Sequence, residues 1–154
     1  MNRFYFIKFT GLLLLAAVLA LPGVAWAKSS PGRFVVSADG HLVFDTRTHK
    51  TWQRDVPANN VGWETAKAYC KDNIAQLPGT GWHLPDVQEL LTLVDMKETP
   101  TVIDHDAFPN TPADWFWSST PYGKNPNVAW YVLFSLGNSH YHDITYQARA
   151  RCVR

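Results

Sequence analysis

The chain has 154 residues, with 14 basic and 13 acidic side chains and a formal net charge of +1. This balance excludes a general attraction to nucleic acid or to anionic membranes, because such attraction needs a strong excess of basic residues. The length suffices for one domain with a core of its own and is too short for two.

The first 27 residues have the pattern of a secretory signal peptide. Arg3 and Lys8 form a short basic region, an apolar run follows from Gly11 to Leu21, and Ala25-Trp26-Ala27 places small residues where a signal peptidase recognises them. The alternative is a retained anchor, but the strictly apolar stretch is about ten residues and a membrane span needs about 20. We therefore expect cleavage after Ala27, export to a periplasm or to the exterior, and no membrane insertion after processing.

The expected mature chain begins at Lys28 and has a formal net charge of −1, because 12 of the 14 basic residues and all 13 acidic residues remain. Residues 28–33 form a polar Ser, Pro and Gly leader that we expect to be flexible, and residues 34–154 form the domain. Any charged partner must therefore be recognised by a local patch.

Both cysteines, Cys70 and Cys152, belong to the mature part. In an oxidising compartment an even number of cysteines at one wide spacing predicts a structural disulfide. Two free thiols or a metal-binding pair is the alternative, and no neighbouring metal ligands favour it. A bridge across so long a loop stabilises a fold by about 4–5 kcal/mol in the chain-entropy model.

Short β-prone runs open the domain, and two helical patterns follow them. Three strands are predicted: at residues 34–36, at residues 42–44, and in a third piece that ends near Trp52. Asn60 is a candidate helix cap, and apolar residues at helical spacing predict a first helix with Cys70 on its inner face. Pro85 opens a second predicted helix, which ends near Thr99-Pro100. The inner stripes are Trp63, Ala66, Cys70 and Ile74 in the first helix and Val87, Leu90, Leu91 and Val94 in the second.

The C-terminal half is β in character after a long loop at residues 101–114. Strands are predicted at residues 115–118, 130–135, 141–146 and 148–154, joined by turns at residues 125–127 and 136–138. Strands, two helices and then more strands predict an α+β domain with two helices and a twisted antiparallel sheet, because a parallel sheet would need alternating strands and helices.

Several motifs resemble the Lcl C-terminal domain family of bacteria. The strongest are Gly81-Trp82-His83-Leu84-Pro85 followed by Glu89-Leu90-Leu91, then Trp117-Ser118-Ser119-Thr120, and the closing Arg151-Cys152-Val153-Arg154. The resemblance covers residues 34–154 and implies a C-type-lectin-like fold. In that fold a disulfide joins the first helix to the last strand, and the N- and C-terminal segments lie side by side. His83 departs from the pattern, since the family usually has arginine there.

Metal binding and catalysis have little support in the sequence. Three tripeptides that bind calcium in sugar-binding lectins, Glu-Pro-Asn, Gln-Pro-Asp and Trp-Asn-Asp, are absent, so we expect no calcium site and no cofactor. His140, His142 and Asp143 are spaced like metal ligands, but two histidines on one strand face do not make a site without a third ligand. No catalytic triad or nucleophile motif is recognisable, so we do not expect an enzyme.

Aromatic and amide side chains in the C-terminal half are the best binding candidates. We assign Trp117, Trp130 and Phe134 to the core, because they fall in the family's strand motifs. The residues expected at strand ends and loops form a candidate polar and aromatic platform: Trp115, Tyr122, Lys124, Asn125, Asn127, His140 and Tyr141.

The sequence therefore predicts a secreted or periplasmic binding domain that recognises a glycan or surface polymer without calcium. The resemblance carries the glycan part, since the adhesin for which the family is named binds sulfated polysaccharides, whereas a net charge of −1 argues against strong sulfate binding here. The alternative is a protein-interaction or structural module that docks with an envelope protein. The sequence leaves open the ligand, the oligomeric state, the choice between periplasm and exterior, and whether His140, His142 and Asp143 bind a metal.

Overall fold

The computed structural model describes residues 32–154, so the predicted signal peptide and residues 28–31 of the predicted leader lie outside the described part. Three strands open the domain: β1 (Phe34–Val36), β2 (Leu42–Asp45) and β3 (Lys50–Gln53). Two helices follow, α1 (Trp63–Lys71) and α2 (Val87–Leu91), and three strands close it: β4 (Trp115–Tyr122), β5 (Asn125–Leu133) and β6 (Asn138–Asp143). The predicted α+β class is confirmed. Within residues 32–154 no helix is long and apolar enough to cross a membrane.

The strands form two antiparallel sheets where the sequence suggested one. β1, β2 and β3 make the first sheet and β4, β5 and β6 make the second, each in chain order. Neighbours in the chain therefore pair through short connections, which suits antiparallel strands. The long loop and both helices separate the two sheets in sequence.

The C-terminal segment, predicted as a strand over residues 148–154, is extended but joins no single ladder. Ala148 pairs with Val61, Arg149 with β4, and Val153 with His83, while Cys152 and Arg154 bond to β3. Its backbone groups are thus divided among four partners, which is why it forms isolated bridges. Because it lies along β3, both β2 and β3 lie between the C-terminal segment and β1, so the expected side-by-side arrangement of the N- and C-terminal segments is not found.

Helix α1 buries Trp63, Ala66 and Cys70 as predicted, but Ile74 is 63% exposed. The helix ends at Lys71, and Asn73 then takes a positive φ of 49°, so the helical spacing no longer applies at Ile74. The predicted cap at Asn60 is also wrong. Gly62 is the N-cap without a side-chain bond, and the Asn60 amide donates to Asp114 at 3.1 Å instead.

Helix α2 is shorter than predicted and ends at Leu91 rather than near Thr99. Asp86 is its cap and forms a capping box with Glu89, in which each side chain accepts the other's backbone N–H at 2.7 and 2.9 Å. Pro85 lies one residue before the cap, and its carbonyl accepts the Ser119 N–H. Leu90 is fully buried, as the apolar stripe predicts.

The sheet of β4, β5 and β6 is packed on both faces near the start of β4. Because side chains alternate along a strand, Trp117 and Tyr131 lie in one buried cluster, and Phe116 and Val132 lie in a second cluster on the opposite face. The first cluster also contains the Cys70–Cys152 disulfide, which confirms the predicted bridge between α1 and the C-terminal segment.

Trp130 is half-buried, so its assignment to the core is wrong. It points to the same side of the sheet as Val132 and pairs in register with Tyr141 of the edge strand. The buried cluster on that side includes Val132 and Phe134 but does not extend to Trp130. Phe134 and Trp117 are fully buried, as predicted.

Arg151 of the closing motif is almost fully buried and anchors the long loop. Its guanidinium lies 4.6 Å from the Phe108 ring centre and donates a 2.7 Å hydrogen bond to the Thr111 hydroxyl. Burial lowers the pKa of Arg151 to about 9, so the side chain remains protonated at neutral pH. A buried cation held by aromatic faces fixes the loop against the C-terminal segment.

Arg33, at the end of the predicted leader, holds the buried carboxylate of Asp45. Two guanidinium nitrogens donate to Asp45 at 2.7 and 3.2 Å, and the Arg47 backbone N–H donates at 2.9 Å. Burial by itself raises the pKa of Asp45, but these hydrogen bonds and the Arg33 charge outweigh it, so the pKa lies below its usual range. This pair joins β2 to the start of the domain.

The lowered pKa of Asp45 predicts an acid-sensitive contribution to stability. The contribution is complete above the unfolded-state pKa of about 3.9 and is lost as the pH falls through the lower folded-state pKa. We expect Asp45→Asn to be less stable than the wild type at pH 6 and this gap to narrow at pH 3. Urea unfolding at both pH values measures it, and a gap that stays constant would contradict this assignment.

Candidate binding surface

Three aromatic side chains from three strands meet on one face of the second sheet, beyond the packed region. Tyr122 ends β4, Trp130 lies in β5, and Tyr141 lies opposite Trp130 in β6. The Tyr122 and Tyr141 rings stack with centres 3.8 Å apart, and each lies 5.5 to 5.6 Å from the Trp130 ring. We call these three residues the aromatic cluster.

The aromatic cluster is open to solvent although its members are large. Tyr122 and Tyr141 are 37% and 39% exposed. His140 stacks on Tyr141 at 4.8 Å, so Tyr141 lies between Tyr122 and His140, and the exposed part of Tyr141 is its ring edge and hydroxyl. Aromatic rings that remain exposed on a rigid sheet offer flat apolar area together with hydroxyl and ring N–H groups. The cluster can therefore bind a ligand that is apolar on one face and polar at its edges.

The hydroxyl groups of the aromatic cluster are also coupled. A side-chain hydrogen bond to Tyr141, together with its charge when ionised, raises the pKa of Tyr122 above the usual value. The Tyr122 phenol is therefore neutral at physiological pH, where its hydroxyl acts as a hydrogen-bond donor and acceptor. The surface is polar without carrying a charge of its own.

Trp115, predicted in the same platform, lies on the opposite face of the sheet. It stacks on Tyr131 at 4.4 Å with an angle of 1° and on Tyr146 at 4.4 Å with an angle of 25°. Tyr131 and Tyr146 are not in ring contact with each other, so they cover opposite faces of the indole. Trp115 therefore has no free ring face for a ligand and is separated from Tyr122 and Tyr141.

The polar candidates surround the hairpin between β4 and β5. Lys124 lies in the turn and is exposed, and Asn125 pairs in register with Tyr122. The Asn125 side chain accepts the Asn127 backbone N–H at 3.0 Å. Alternation along β5 places Asn127 with Tyr131 on the Trp115 face. Lys124 and Asn125 thus lie at the end of the aromatic cluster, and Asn127 does not.

Strand alternation directs His140 and His142 of β6 toward the Trp115 face, where His140 lies 6.1 Å from Tyr131, and the His140 ring also reaches Tyr141. His142 packs on Tyr146 at 4.3 Å and on Trp115 at 5.7 Å. Across residues 32–154, no three His, Cys, Asp or Glu side chains converge as a metal-binding set. The expectation that His140, His142 and Asp143 do not form a metal site remains a prediction about the protein in solution.

Residues 41–154 match the family model described as Lcl C-terminal domain. The chain belongs to the Lcl C-terminal domain family. The match covers most of the chain and includes the Trp82–Pro85 motif, both cysteines and every residue of the aromatic cluster. A comparison with curated proteins gives no match.

This Lcl C-terminal domain also has a cleft of about 550 Å³ at the outer face of α1. Within it, Lys67 pairs with Glu64 at 2.9 Å and lies over the Trp63 ring at 3.8 Å. The sequence did not predict this cleft. Its only signal was the charged stripe on the outer side of the first helix, which is also what a solvated helix face looks like. Its lining residues are Glu64, Lys67, Ala68, Lys71, Asp72, His83, Leu84 and Ser119.

Next to His83 of the family motif, the carboxylate of Glu89 is held by charged side chains. The Glu89 carboxylate forms an ion pair with Lys50 Nζ at 2.6 Å and lies 3.5 Å from His83 Nε2. Burial raises the pKa of Glu89, but the hydrogen bonds from Lys50 and from the Asp86 backbone lower it overall. Lys50 therefore supplies the cation that pairs with this carboxylate beside His83.

Proposed function

We propose that this domain is a non-catalytic binding module that recognises a glycan or surface polymer without calcium. The exposed aromatic cluster of Tyr122, Trp130 and Tyr141 carries the proposal. Sugar rings present an apolar face of C–H groups and a polar edge of hydroxyls, and this chemistry matches exposed aromatic rings flanked by phenol and amide groups. Lys124, Asn125 and His140 supply polar contacts at the margin of the cluster.

Membership of the Lcl C-terminal domain family supports the proposal, and so does the missing set of calcium tripeptides. We extend the proposal to a C-type-lectin-like fold, because the disulfide joins the first helix to the C-terminal segment. We also propose export to a periplasm or to the exterior. A buried disulfide and a signal-like N-terminus both suit an oxidising compartment.

Protein recognition is the second candidate function, and the same cluster is its support. Tyrosine and tryptophan are enriched among the residues that dominate protein–protein interfaces. A partner of this class would be an envelope protein. The two functions separate cleanly in experiment, because a glycan array contains no protein ligand and a pull-down from envelope extract treated to remove glycans contains no sugar.

We expect Tyr122→Ala and Tyr141→Ala each to weaken glycan binding by about tenfold or more, which is about 1.4 kcal/mol of binding free energy. Tyr141→Phe keeps the ring and separates stacking from the hydroxyl contact. The measurement is a glycan-array screen of residues 28–154, followed by calorimetry with the best ligand. A calcium chelator should leave the affinity unchanged.

Tyr146→Ala is the matched control, because Tyr146 is 38% exposed and lies on the other face of the sheet. It should bind the glycan as the wild type does. Two results would contradict the proposal: binding that requires calcium, or full binding by the Tyr122→Ala/Tyr141→Ala double variant. Folding of each variant is checked by its melting temperature, which should change little because these are surface positions.

A further inference from the structure

Of the four outer edges of the two sheets, the fold covers or shortens three. The C-terminal segment covers β3, because Thr51 and Arg154 exchange hydrogen bonds at 2.9 and 3.0 Å. Arg149 covers β4 through bonds to Trp115 and Trp117. The β1 edge has only three residues. The outer edge of β6 has six residues, and no other strand in residues 32–154 pairs with it.

The bonds of β6 to β5 identify which backbone groups face outward. Ile144 donates its N–H to the carbonyl of Asn127, which makes this pair a hydrogen-bonded one. Hydrogen-bonded pairs alternate along an antiparallel ladder, so the backbone N–H and C=O groups of His140 and His142 also bond to β5. The backbone groups of Ser139, Tyr141 and Asp143 therefore point away from the sheet. Two of these carbonyls already accept one bond each, Tyr141 from the His140 ring at 3.2 Å and Asp143 from the Tyr146 N–H at 3.0 Å, and each keeps a second lone pair for a pairing strand.

The β6 edge also lacks the features that prevent strands from pairing with other chains. Proteins protect exposed edges with lysine, proline, bulges or very short strands. β6 contains neither lysine nor proline, and its register with β5 is continuous, whereas β4 and β5 have irregularities. An edge of this kind pairs readily with another strand.

We propose that the β6 edge pairs antiparallel with β6 of a second copy of this chain, with Tyr141 opposite Tyr141. In this register Asp143 of one copy lies opposite Ser139 of the other, so the two Asp143 carboxylates do not face each other. Like charges directly opposite would be destabilising, whereas an aromatic pair across strands is favourable. The sequence of β6 is thus complementary to itself.

Pairing in this way joins the sheet of β4, β5 and β6 in one copy to the same sheet in the other copy, which gives one continuous six-stranded sheet. The aromatic clusters of both copies then lie on the same face, one on each side of the two-fold axis. A repetitive polymer would contact both clusters at once, which raises avidity without any new contact. This consequence rests on the proposed glycan binding, but the pairing itself does not.

Sedimentation equilibrium of residues 28–154, without glycan, tests the pairing. We expect a monomer–dimer equilibrium with a dissociation constant of about 10–100 µM, as for small, transient interfaces. Ser139→Pro removes one outward N–H and no bond to β5, so it should remain folded and monomeric. Ser139→Ala keeps the N–H and is the matched control, which should dimerise as the wild type does.

Amide hydrogen exchange followed by NMR gives a second readout that does not depend on the proline variant. The N–H groups of Ser139, Tyr141 and Asp143 should be protected in concentrated protein and exchange faster on dilution. Those of His140 and His142 should be protected at both concentrations, because they bond to β5. A monomer up to about 500 µM, far above the expected dissociation constant, or dimerisation of Ser139→Pro at wild-type strength, would overturn the proposal. Either result leaves the glycan measurement intact.

Discussion

Replacing Cys70 and Cys152 together by alanine is expected to lower the free energy of unfolding by about 4–5 kcal/mol. The bridge joins residues 82 positions apart, so its removal releases a large part of the chain in the unfolded state. Both cysteines are buried in the cluster that contains Trp117 and Tyr131, so the loss also loosens the contact between α1 and the C-terminal segment. Urea unfolding of the oxidised wild type and of the variant measures the difference.

Reductant provides the control for the disulfide prediction. It should lower the stability of the wild type to that of the double variant and leave the variant unchanged. Intact-mass analysis of exported protein should give a chain that starts at Lys28 and is two hydrogens lighter than the reduced form. Free thiols titrated in unfolded, unreduced protein, or equal stability of variant and wild type, would contradict the expectation.

Trp117→Ala is expected to destabilise the domain by about 3–5 kcal/mol, the usual cost of removing a fully buried large aromatic side chain. Trp117 is completely buried, and its indole N–H donates to the Val61 carbonyl at 2.9 Å. The same carbonyl accepts the Ala148 N–H, so the indole supports the connection between the start of α1 and the C-terminal segment. Trp117→Phe should lose less, because a ring still fills most of the site.

Trp130→Ala is the matched comparison, since it removes the same side chain from the neighbouring strand. Trp130 is half-buried, so we expect a loss of about 1–2 kcal/mol, the part of the burial free energy that it has. It should weaken ligand binding instead, because the aromatic cluster loses its central ring. Equal destabilisation by Trp117→Ala and Trp130→Ala would place Trp130 in the core and contradict its partial exposure.

The sequence predicted some residues of the candidate site correctly, but it did not predict which of them share a surface. Tyr122 and Tyr141 belong together, as the sequence suggested, and Trp130 was missed because its family motif was taken as evidence of burial. Trp115 was included because it begins a strand, yet Tyr131 and Tyr146 cover both faces of its ring. Exposure depends on which neighbours pack against a ring, and no local pattern contains that information.

Local patterns determined much of this protein without the structure. Alternation and turn residues were sufficient for the first three strands, and the apolar stripe after Pro85 predicted α2 with Leu90 on its buried side. The two cysteines had only one possible intramolecular pairing. These features depend on a few neighbouring residues or on a simple count, which is why sequence alone determined them.

The tertiary structure decided where those elements end and which faces remain free. The C-terminal segment is extended in sequence, but it divides its hydrogen bonds among four partners and so ties the two sheets together. The same segment covers β3 and β4, leaving β6 as the longer of the two uncovered edges. Strand pairing and ring stacking involve residues distant in the chain, so their outcome is a property of the whole packed domain and not of any segment of its sequence.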